Sequence, residues 1–517
     1  MVSGNARTVP DESLAMTGGL QRCATGVSGL DDVLHGGLIA GRLYLIDGEP
    51  GAGKTTLALQ FLLQGVREGE SCLYVTLGET AAELRAGAES HGWSLDGIEI
   101  VELVGDGDDL LGASELTMYH PSEVELNETT RRILEAVERC KPQRMVLDSL
   151  SELRLLAQTS LRYRRQILAL KQFFVGRQCT ALFLDDRANE GIDTQVHSIA
   201  HGVIALDRTV PDYGPMLRQL RITKFRGSDF ISGQQDLLVR RGGLHVFARL
   251  KPSEHGASYQ RDAVPSGVAS LDQLLGGGID RGTATLLVGP AGSGKSTIAA
   301  QYAVEAARRG THAAIFTFEE SRALLLDRLT GLGMNLGDLA PGCLTVRQID
   351  PADMLPSQFA NIVREAVENN GARVVVIDSL NGYLNAMPEE RALTIQLHEL
   401  LSYLNNHGVA TFLVSTQSGL MGPAMRNAVD ASYLADAIML FRMYEHAGAV
   451  RKAISVVKKR SGWHEDTIRQ LWFDGDGVHL GPPLTHLRGV LSGVPVEIGN
   501  GVASSHGSAA DGGTGRA

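Results

Sequence analysis

Short runs of apolar residues, each bounded by glycine or by charged residues, recur along most of the chain. In the first half they read LYLID, SCLYVTL, RMVLDSL and TALFLDD, and in the second half TLLVG, AAIFTF, VVVIDSL and TFLVST. Runs of this length and composition are typical of buried parallel strands. Stretches with helical periodicity lie between them, among them TLALQFLLQGVREG and PSQFANIVREAVENNG. The alternation predicts an α/β fold, in which helices flank a mostly parallel sheet.

The pattern occurs twice because the chain contains the same domain in two copies. The stretch TGVSGLDDVLHGGLIAGRLYLIDGEPGAGKTTLALQ, which begins at Thr25, returns as SGVASLDQLLGGGIDRGTATLLVGPAGSGKSTIAAQ. Asp148 later matches Asp378 after a longer spacing in the first copy, so we predict an extra loop around 105–115. The expected organisation is a flexible segment, two domains and a flexible tail, at 1–20, 21–250, 251–485 and 486–517.

Charge and cysteine content restrict the class of protein. The 517 residues include 48 Lys and Arg against 59 Asp and Glu, a formal net charge of −11, which argues against general nucleic-acid binding. The five cysteines are scattered, as is typical of reduced thiols rather than of disulfides or a zinc site. We find no signal peptide and no apolar stretch of the roughly 20 residues that cross a bilayer. We therefore expect a cytoplasmic protein.

Two segments fit the phosphate-loop pattern G-x-x-x-x-G-K-[ST], GEPGAGKT at 48–55 and GPAGSGKS at 289–296. Each follows an apolar strand and precedes a helix, which is the context that the motif requires. Its glycines let successive backbone N–H groups surround an anion, and its lysine reaches the β- and γ-phosphates of a nucleotide. The residues predicted to bind ATP are Gly48, Gly51, Ala52, Gly53, Lys54, Thr55, Thr56, Gly289, Gly292, Ser293, Gly294, Lys295, Ser296 and Thr297.

A magnesium ion is expected beside each phosphate loop. Thr55 and Ser296 supply hydroxyl oxygens from the loops themselves. Asp148 and Asp378 end the apolar runs RMVLD and VVVID, at the edge of the sheet where a carboxylate can hold Mg²⁺. An apolar run that ends in Asp-Ser often only caps the next helix. Its recurrence downstream of both phosphate loops favours the metal-binding interpretation.

Carboxylates after the next strand are candidate catalytic bases. Glu319 and Glu320 follow the run IFTF in the second copy, where a base can orient the attacking water. In the first copy Gly78 replaces Glu319, and only Glu79, which matches Glu320, remains. Adjacent side chains of an extended segment point to opposite sides, so Glu79 need not reach the same water, and capping a helix is its alternative role. We predict a complete second site and reduced or altered hydrolysis in the first.

Two further acids, Asp185 and Asp186, end the run TALFL in the first copy. They are candidates to compensate for the missing glutamate. Helix capping explains them equally well.

A basic pair stands late in each copy, Lys224 with Arg226 and Lys458 with Arg460. Side chains two residues apart on a strand point the same way, so each pair can reach together into a phosphate site, including that of a neighbouring subunit. A solvated edge strand is the alternative, because lysine is common there. The presence of the pair in both copies favours phosphate binding.

The order of these motifs, doubled along about 21–485, resembles that of the KaiC family of RecA-like ATPases. Single-domain RecA relatives lack the duplicated layout, so the resemblance is specific. It implies a double-ring homohexamer with ATP between subunits, ATPase activity in the first ring, and autokinase and autophosphatase activity in the second. It also implies a KaiB-like partner that binds the first ring.

The resemblance further indicates a site of self-phosphorylation. In the family the second domain phosphorylates a Ser/Thr pair a few residues before an aspartate that leads into a strand. The matching segment is VDASYLADAIML, in which Asp436 is the anchor, Ser432 takes the serine position and Tyr433 the threonine position. Ser432 is thus the expected phospho-acceptor and Glu319 the expected base, although a hydroxyl in a turn can equally make a local hydrogen bond. Tyr433 departs from the pattern of an ordered two-site cycle.

Two other classes of function compete with this one. A DNA-dependent recombinase or helicase also uses a RecA-like core, but its candidate basic stretch here, LRYRRQILALK, reads as one solvated helix face on an acidic chain. The other class is a scaffold that binds ATP in order to assemble and does not turn it over.

Overall fold

The computed structural model describes residues 20–103, 121–174, 176–187, 194–210, 216–250, 259–260, 262–384, 390–417 and 432–498. The chain divides into two compact units, Met1–Arg249 and Leu250–Ala517. The extra loop predicted around 105–115 lies outside the described residues. In the described part of the chain, no helix is long and apolar enough to cross a membrane.

The first unit contains the predicted alternation of strands and helices. Its strands are β1 (Arg22–Cys23), β2 (Leu38–Ile39), β3 (Leu43–Gly48), β4 (Cys72–Thr76), β5 (Ile98–Glu102), β6 (Arg144–Asp148), β7 (Thr180–Asp186), β8 (Gly202–Thr209), β9 (Leu217–Phe225), β10 (Gln234–Arg240) and β11 (Gly243–Phe247). Its helices are α1 (Leu30–Val33), α2 (Lys54–Arg67), α3 (Ala81–Ser90), α4 (Pro121–Cys140), α5 (Leu150–Ala157), α6 (Ser160–Phe174) and α7 (Thr194–Ile199).

The second unit repeats this order. Its strands are β12 (Ala263–Val264), β13 (Ile279–Asp280), β14 (Ala284–Gly289), β15 (Ala313–Thr317), β16 (Leu344–Gln348), β17 (Val374–Asp378), β18 (Ala410–Thr416), β19 (Ala437–His446), β20 (Ala449–Lys459), β21 (Arg469–Asp474), β22 (Gly477–Pro483), β23 (Leu487–Arg488) and β24 (Val496–Glu497). Its helices are α8 (Ala269–Leu274), α9 (Lys295–Arg308), α10 (Arg322–Gly331), α11 (Pro356–Glu368), α12 (Leu380–Leu384) and α13 (Glu390–Asn406), with 3-10 turns at Leu336–Asp338 and Val490–Ser492.

Each unit is built on one large mixed sheet. The strand order is β11-β10-β9-β8-β3-β7-β6-β4-β5 in the first unit and β16-β15-β17-β18-β14-β19-β20-β21-β22 in the second. The strand before each phosphate loop is central, with parallel partners on both sides. Antiparallel strands extend one edge of each sheet. The predicted fold class, two tandem RecA-like α/β domains, is confirmed.

Both faces of each sheet are covered by apolar side chains. In β3, for example, Tyr44 and Ile46 belong to one hydrophobic cluster, and Leu43 and Leu45 belong to another. Successive side chains of a strand point to opposite faces, so a strand buried on both faces must be apolar throughout. This is why the runs in the sequence are continuous rather than alternating.

The ordered structure continues beyond 485, where we placed the start of a flexible tail. Strands β23 and β24 pair antiparallel, with Leu487 opposite Glu497 and Arg488 opposite Val496. Leu487 and Val490 are buried in a small cluster with residues of β19 and β20, which holds this segment to the sheet. Residues 499–517 and 1–19 lie outside the described residues.

A fully buried arginine joins the elements of the first unit. The side chain of Arg144, at the start of β6, donates hydrogen bonds to the carbonyl oxygens of Ala24 (2.6 Å) and Phe61 (3.0 Å). It also forms ion pairs with Glu68 and Glu70, and its guanidinium lies 5.0 Å from the centre of the Phe61 ring. A buried charge of this kind is tolerated because every side of it is paired.

Replacing Arg144 with methionine should destabilise the protein, because two glutamates lose their partner and two carbonyl groups lose a donor. Both glutamates are partly exposed, so we expect a loss of about 2–3 kcal/mol in the free energy of unfolding, below the range for wholly buried pairs. Urea-induced unfolding of the full-length protein measures it. Arg131→Met is the matched control, because Arg131 also pairs with two glutamates but lies on the surface. Equal effects of the two substitutions would contradict the interpretation.

Candidate functional site

Each phosphate loop connects the central strand of its sheet to a long helix. In the second unit β14 ends at Gly289 and α9 begins at Lys295. Gly292 and Gly294 have φ of 74° and 103°, a left-handed conformation that glycine adopts without strain. A Cβ at Gly294 would also lie 2.4 Å from the ring of Phe473. The glycine spacing of the motif is therefore required by both backbone conformation and packing.

The lysines of the two loops are almost completely buried. In the second unit the Nζ of Lys295 donates to the carbonyl oxygens of Gly289 (2.9 Å) and Pro290 (2.7 Å). Lys54 makes the same pair of contacts in the first unit, to Gly48 (2.7 Å) and Glu49 (3.0 Å). Burial lowers the pKa of Lys295 to about 8, although the charges of two nearby carboxylates act in the opposite direction.

A cavity of about 590 Å³ opens in front of the second phosphate loop. It brings together most of the residues that we predicted there: Gly292, Gly294, Lys295, Ser296, Thr297, Glu319, Glu320 and Asp378. The wall residues that sequence reasoning missed include Arg328, Lys452 and Phe473. They come from α10, β20 and β21, and no local pattern in the sequence marks them.

The two aspartates predicted to bind magnesium end equivalent strands, β6 in the first unit and β17 in the second. Each lies against the hydroxyl group of its own phosphate loop. Asp148 accepts a hydrogen bond from Thr55 (3.3 Å) and another from the hydroxyl of Tyr74 (2.5 Å). Asp378 accepts a hydrogen bond from Ser296. Burial raises the pKa of both carboxyl groups, and these hydrogen bonds limit the rise. Each copy therefore places a carboxylate and a hydroxyl oxygen together at the end of the loop.

Glu319 and Glu320 are neighbours in sequence but have different partners. The hydroxyl of Ser379, which follows Asp378, donates to the exposed Glu319 carboxylate. Glu320 instead receives two hydrogen bonds from Arg328, at 3.0 and 2.7 Å. The carboxylate of Glu320 is thus neutralised by an arginine, whereas the hydrogen bond that Glu319 receives from the described residues comes from a hydroxyl.

The equivalent residues of the first copy have different partners. Gly78 offers no carboxylate, and the hydroxyl of Ser149, the equivalent of Ser379, contacts that of Ser151 instead. Glu79 keeps the backbone position of Glu320, because its N–H donates to the Thr76 hydroxyl at 3.1 Å. Burial and the nearby carboxylates of Asp148, Glu83 and Asp186 raise the pKa of Glu79.

The structure separates the roles of Asp185 and Asp186, the two acids at the end of β7. Asp185 is buried and paired with Arg154. Asp186 lies in the phosphate-loop region, where its Oδ1 is 2.7 Å from the Nζ of Lys54. Its Oδ2 accepts a hydrogen bond from Ser151 at 3.2 Å. The next helix in the described part of the chain begins only at Thr194, so neither acid caps a described helix.

Both basic pairs contact the segment that precedes the neighbouring strand of the sheet, which is β19 in the second unit. Lys458 donates to the carbonyl oxygens of Ser432 (2.9 Å) and Ala435 (2.7 Å). Arg460 donates to the carbonyl of Tyr433 and to the carboxylate of Asp436, both at 3.3 Å. The two side chains therefore point the same way, as the spacing predicted.

The first copy repeats this arrangement. Lys224 donates to the carbonyl oxygens of His197 (2.5 Å) and Ser198 (3.1 Å), and Arg226 donates to that of Ser198 (3.4 Å). In both copies the pair contacts backbone oxygens that lie shortly before β8 or β19. They belong to helix α7 in the first copy and to a turn in the second, where Arg460 also binds the Asp436 carboxylate.

The basic pair and the phosphate loop lie toward opposite ends of the central strand. Asp436 binds the start of β14, because its N–H donates to the Ala284 carbonyl (2.8 Å) and its carboxylate accepts from the Ala284 N–H (3.0 Å). Arg460 is bonded to this same aspartate, whereas the phosphate loop follows the other end of β14 at Gly289. We call each phosphate loop, at 48–55 or 289–296, together with the side chains around its lysine, the cradle of its unit. A cation pair so placed faces away from the cradle of its own unit.

The segment that contains the expected phospho-acceptor is described only from Ser432 onward, since 418–431 lie outside the described residues. Ser432 is half-buried in the turn held by Lys458. Tyr433 is 56% exposed. Both hydroxyl-bearing residues are thus at the same end of the sheet as the basic pair.

Comparison with known proteins identifies the family. A family model described as "ATPase: KaiC" matches twice, over residues 23–251 and 264–484. "Circadian clock protein KaiC3" of Synechocystis is 27% identical over 489 residues, which cover 93% of this chain and 95% of the relative. "Circadian clock oscillator protein KaiC" of Prochlorococcus marinus strain MIT 9313 is 25% identical over 494 residues, 93% of this chain and 96% of the relative. With both copies matched and the motifs gathered around each phosphate loop, the chain belongs to the KaiC family of ATPases.

Proposed function

We propose that the protein binds Mg-ATP in both cradles, hydrolyses it chiefly in the second, and transfers phosphate to Ser432 within a homohexamer that acts as a signalling or clock-type switch. The observation that supports this most directly is the arrangement of the second cavity. Lys295, Ser296, Asp378 and Glu319 line one space, and Ser379 orients the Glu319 carboxylate toward it. These are the groups that phosphoryl transfer requires.

In the proposed reaction Lys295 and the backbone N–H groups of the loop bind the triphosphate. Ser296 and Asp378 would hold Mg²⁺, which neutralises charge on the phosphates when bound. Glu319 orients a water molecule and accepts its proton while the water oxygen bonds to the γ-phosphorus and the bond to the bridging oxygen of ADP breaks. Glu320, paired with Arg328, positions the wall of the site and is not the base.

Self-phosphorylation uses the same groups with a serine hydroxyl in place of water. Ser432 lies toward the end of the sheet opposite to the cradle of its own unit, so the phosphate must come from the nucleotide of a neighbouring subunit. Lys458 and Arg460 lie at this same end, where they can interact with that nucleotide in trans. A closed head-to-tail ring satisfies both requirements for every subunit, which supports the homohexamer.

The relatives support the proposed switch by name only, and the partner is proposed from the family resemblance. They are described as circadian clock proteins, and by similarity we propose a signalling role and a KaiB-like partner for the first ring.

The first test of this function replaces Glu319 with glutamine. Because the amide cannot accept the proton of water, phosphate release from ATP should fall on the order of 100-fold or more in the second site. Glu320→Gln is the matched control and should cost much less, since it loses only the charge opposite Arg328. Phosphate release and bound nucleotide are measured on the intact protein. Equal turnover of the wild type and the Glu319 variant would contradict the proposal.

A mixing experiment tests transfer between subunits. Lys295→Ala removes the nucleotide contact but keeps the acceptor, and Ser432→Ala keeps the nucleotide but removes the acceptor. Neither protein alone should incorporate label from γ-labelled ATP, whereas mixed rings should become labelled at Ser432, as mapped by mass spectrometry. Labelling of the Ser432→Ala protein by itself would show that another residue, such as Tyr433, is the acceptor.

The lowered pKa of Lys295 predicts a pH dependence of nucleotide binding at the second site. Below pH 8 the amine is already protonated in the free protein, so binding needs no proton. Above pH 8 the free amine is mostly neutral, and ATP must bind together with a proton. The logarithm of the association constant should therefore fall by up to about one per pH unit. Titration calorimetry in buffers of different ionisation enthalpy measures the uptake, and Lys295→Arg, which stays charged, should abolish it.

A further inference from the structure

An ion pair occupies the first cradle, between the phosphate-loop lysine and an acid from the adjacent strand. Lys54 and Asp186 meet because β3 and β7 are parallel neighbours, in register at Gly48 and Asp186. In the second copy the same register places Thr416 opposite Gly289. The first copy therefore has a carboxylate at this position, beside its phosphate-loop lysine, whereas the second copy has a threonine.

In both copies the serine after the strand-ending aspartate is connected to a carboxylate by hydrogen bonds, directly in one copy and through a second serine in the other. In the second copy Ser379 donates directly to Glu319. In the first copy Ser149 contacts Ser151, and Ser151 donates to the Asp186 carboxylate at 3.2 Å. The two copies thus hold a carboxylate at the phosphate end of the sheet from two different strands.

We propose that Asp186 is the catalytic base of the first cradle, in place of the glutamate that Gly78 lacks. The inference rests on the proposed function, in which ATP occupies this cradle. A bound triphosphate draws the Lys54 amine to its β- and γ-phosphates. Asp186 then remains hydrogen-bonded to Ser151, beside the γ-phosphate, with its charge no longer paired to the lysine.

In the resulting step Asp186 takes a proton from the attacking water. The water oxygen bonds to the γ-phosphorus, and the bond between that phosphorus and the bridging oxygen breaks. ADP leaves with the electron pair of the broken bond, and inorganic phosphate forms. The proton on Asp186 then returns to solvent, which restores the carboxylate and its pair with Lys54.

Glu79 is the competing base, and its surroundings favour it less. It occupies the position of Glu320, which is paired with Arg328 and not with the serine in the second copy. It also stands among the carboxylates of Asp148, Asp186 and Glu83, and no described hydroxyl donates to its side chain as Ser151 does to Asp186. Neutralising Glu79 should therefore leave the water-orienting group in place.

The test measures the first cradle in a protein whose second cradle is silenced by Glu319→Gln. Adding Asp186→Asn should lower the remaining phosphate release on the order of 100-fold, because an amide cannot take the proton. Adding Glu79→Gln instead should change it little. Bound ATP per subunit, measured in parallel, should stay the same in all three proteins, which separates a catalytic role from a binding role.

A rescue variant makes the assignment specific. A Cβ at Gly78 meets no atom within 4 Å, so Gly78→Glu is sterically possible and supplies the missing glutamate. Added to the Asp186→Asn protein, it should restore phosphate release. Faster release after Asp186→Asn alone would overturn the inference, because it would make Asp186 an inhibitor of Lys54.

Loss of release with Glu79→Gln, or no release at all in the Glu319→Gln background, would also overturn the inference. The wild-type protein separates this failure from failure of the proposed function. Turnover by the wild type with none left in the Glu319→Gln protein rejects only the role of Asp186. No turnover by the wild type rejects the proposed ATPase itself.

Discussion

The structure depends on holding a lysine ammonium inside the protein at the end of a central parallel strand. Lys295 has only two backbone carbonyl oxygens as direct hydrogen-bond partners among the described residues, and burial works against its charge. A multiply charged anion is the ligand that best compensates such a group. Because parallel strands end at the same edge, β15 and β17 bring Glu319 and Asp378 to this point as well. The chemistry of the site follows from strand order.

The two copies show how one scaffold distributes carboxylates differently. Both retain the loop lysine, its hydroxyl neighbour and the strand-ending aspartate, which we propose bind a phosphate and a metal together. They differ in the remaining acids, since the second copy has Glu319 and Thr416 where the first has Gly78 and Asp186. The first copy thus carries its acid at the end of β7, against the loop lysine, whereas the second carries it after β15.

The sequence predicted the strands, the repeat and the cradles because each is encoded by consecutive residues. Short continuous apolar runs bounded by glycine are typical of strands buried on both faces, and the glycine spacing is needed locally. The partner of Glu320 could not be predicted, because Arg328 reaches it from a helix whose packing no short pattern reveals. The pair between Lys54 and Asp186 depends on the register of β3 and β7, which are far apart in sequence. For Asp185 and Asp186 we left compensation for the missing glutamate and helix capping as equal alternatives. One residue of register places Asp185 in a buried ion pair and Asp186 beside the phosphate-loop lysine.

The other end of each sheet carries the complementary groups. If Ser432 is phosphorylated as proposed, about −1.5 to −2 units of charge arrive beside the turn held by Lys458 and Arg460. Arg460 is shared with Asp436, and Asp436 also binds both backbone groups of Ala284. A phosphate that attracts Arg460 therefore competes with the carboxylate that fixes the start of β14. Since β14 leads directly into the phosphate loop, a modification at one end of the sheet has a short covalent path to the nucleotide site at the other.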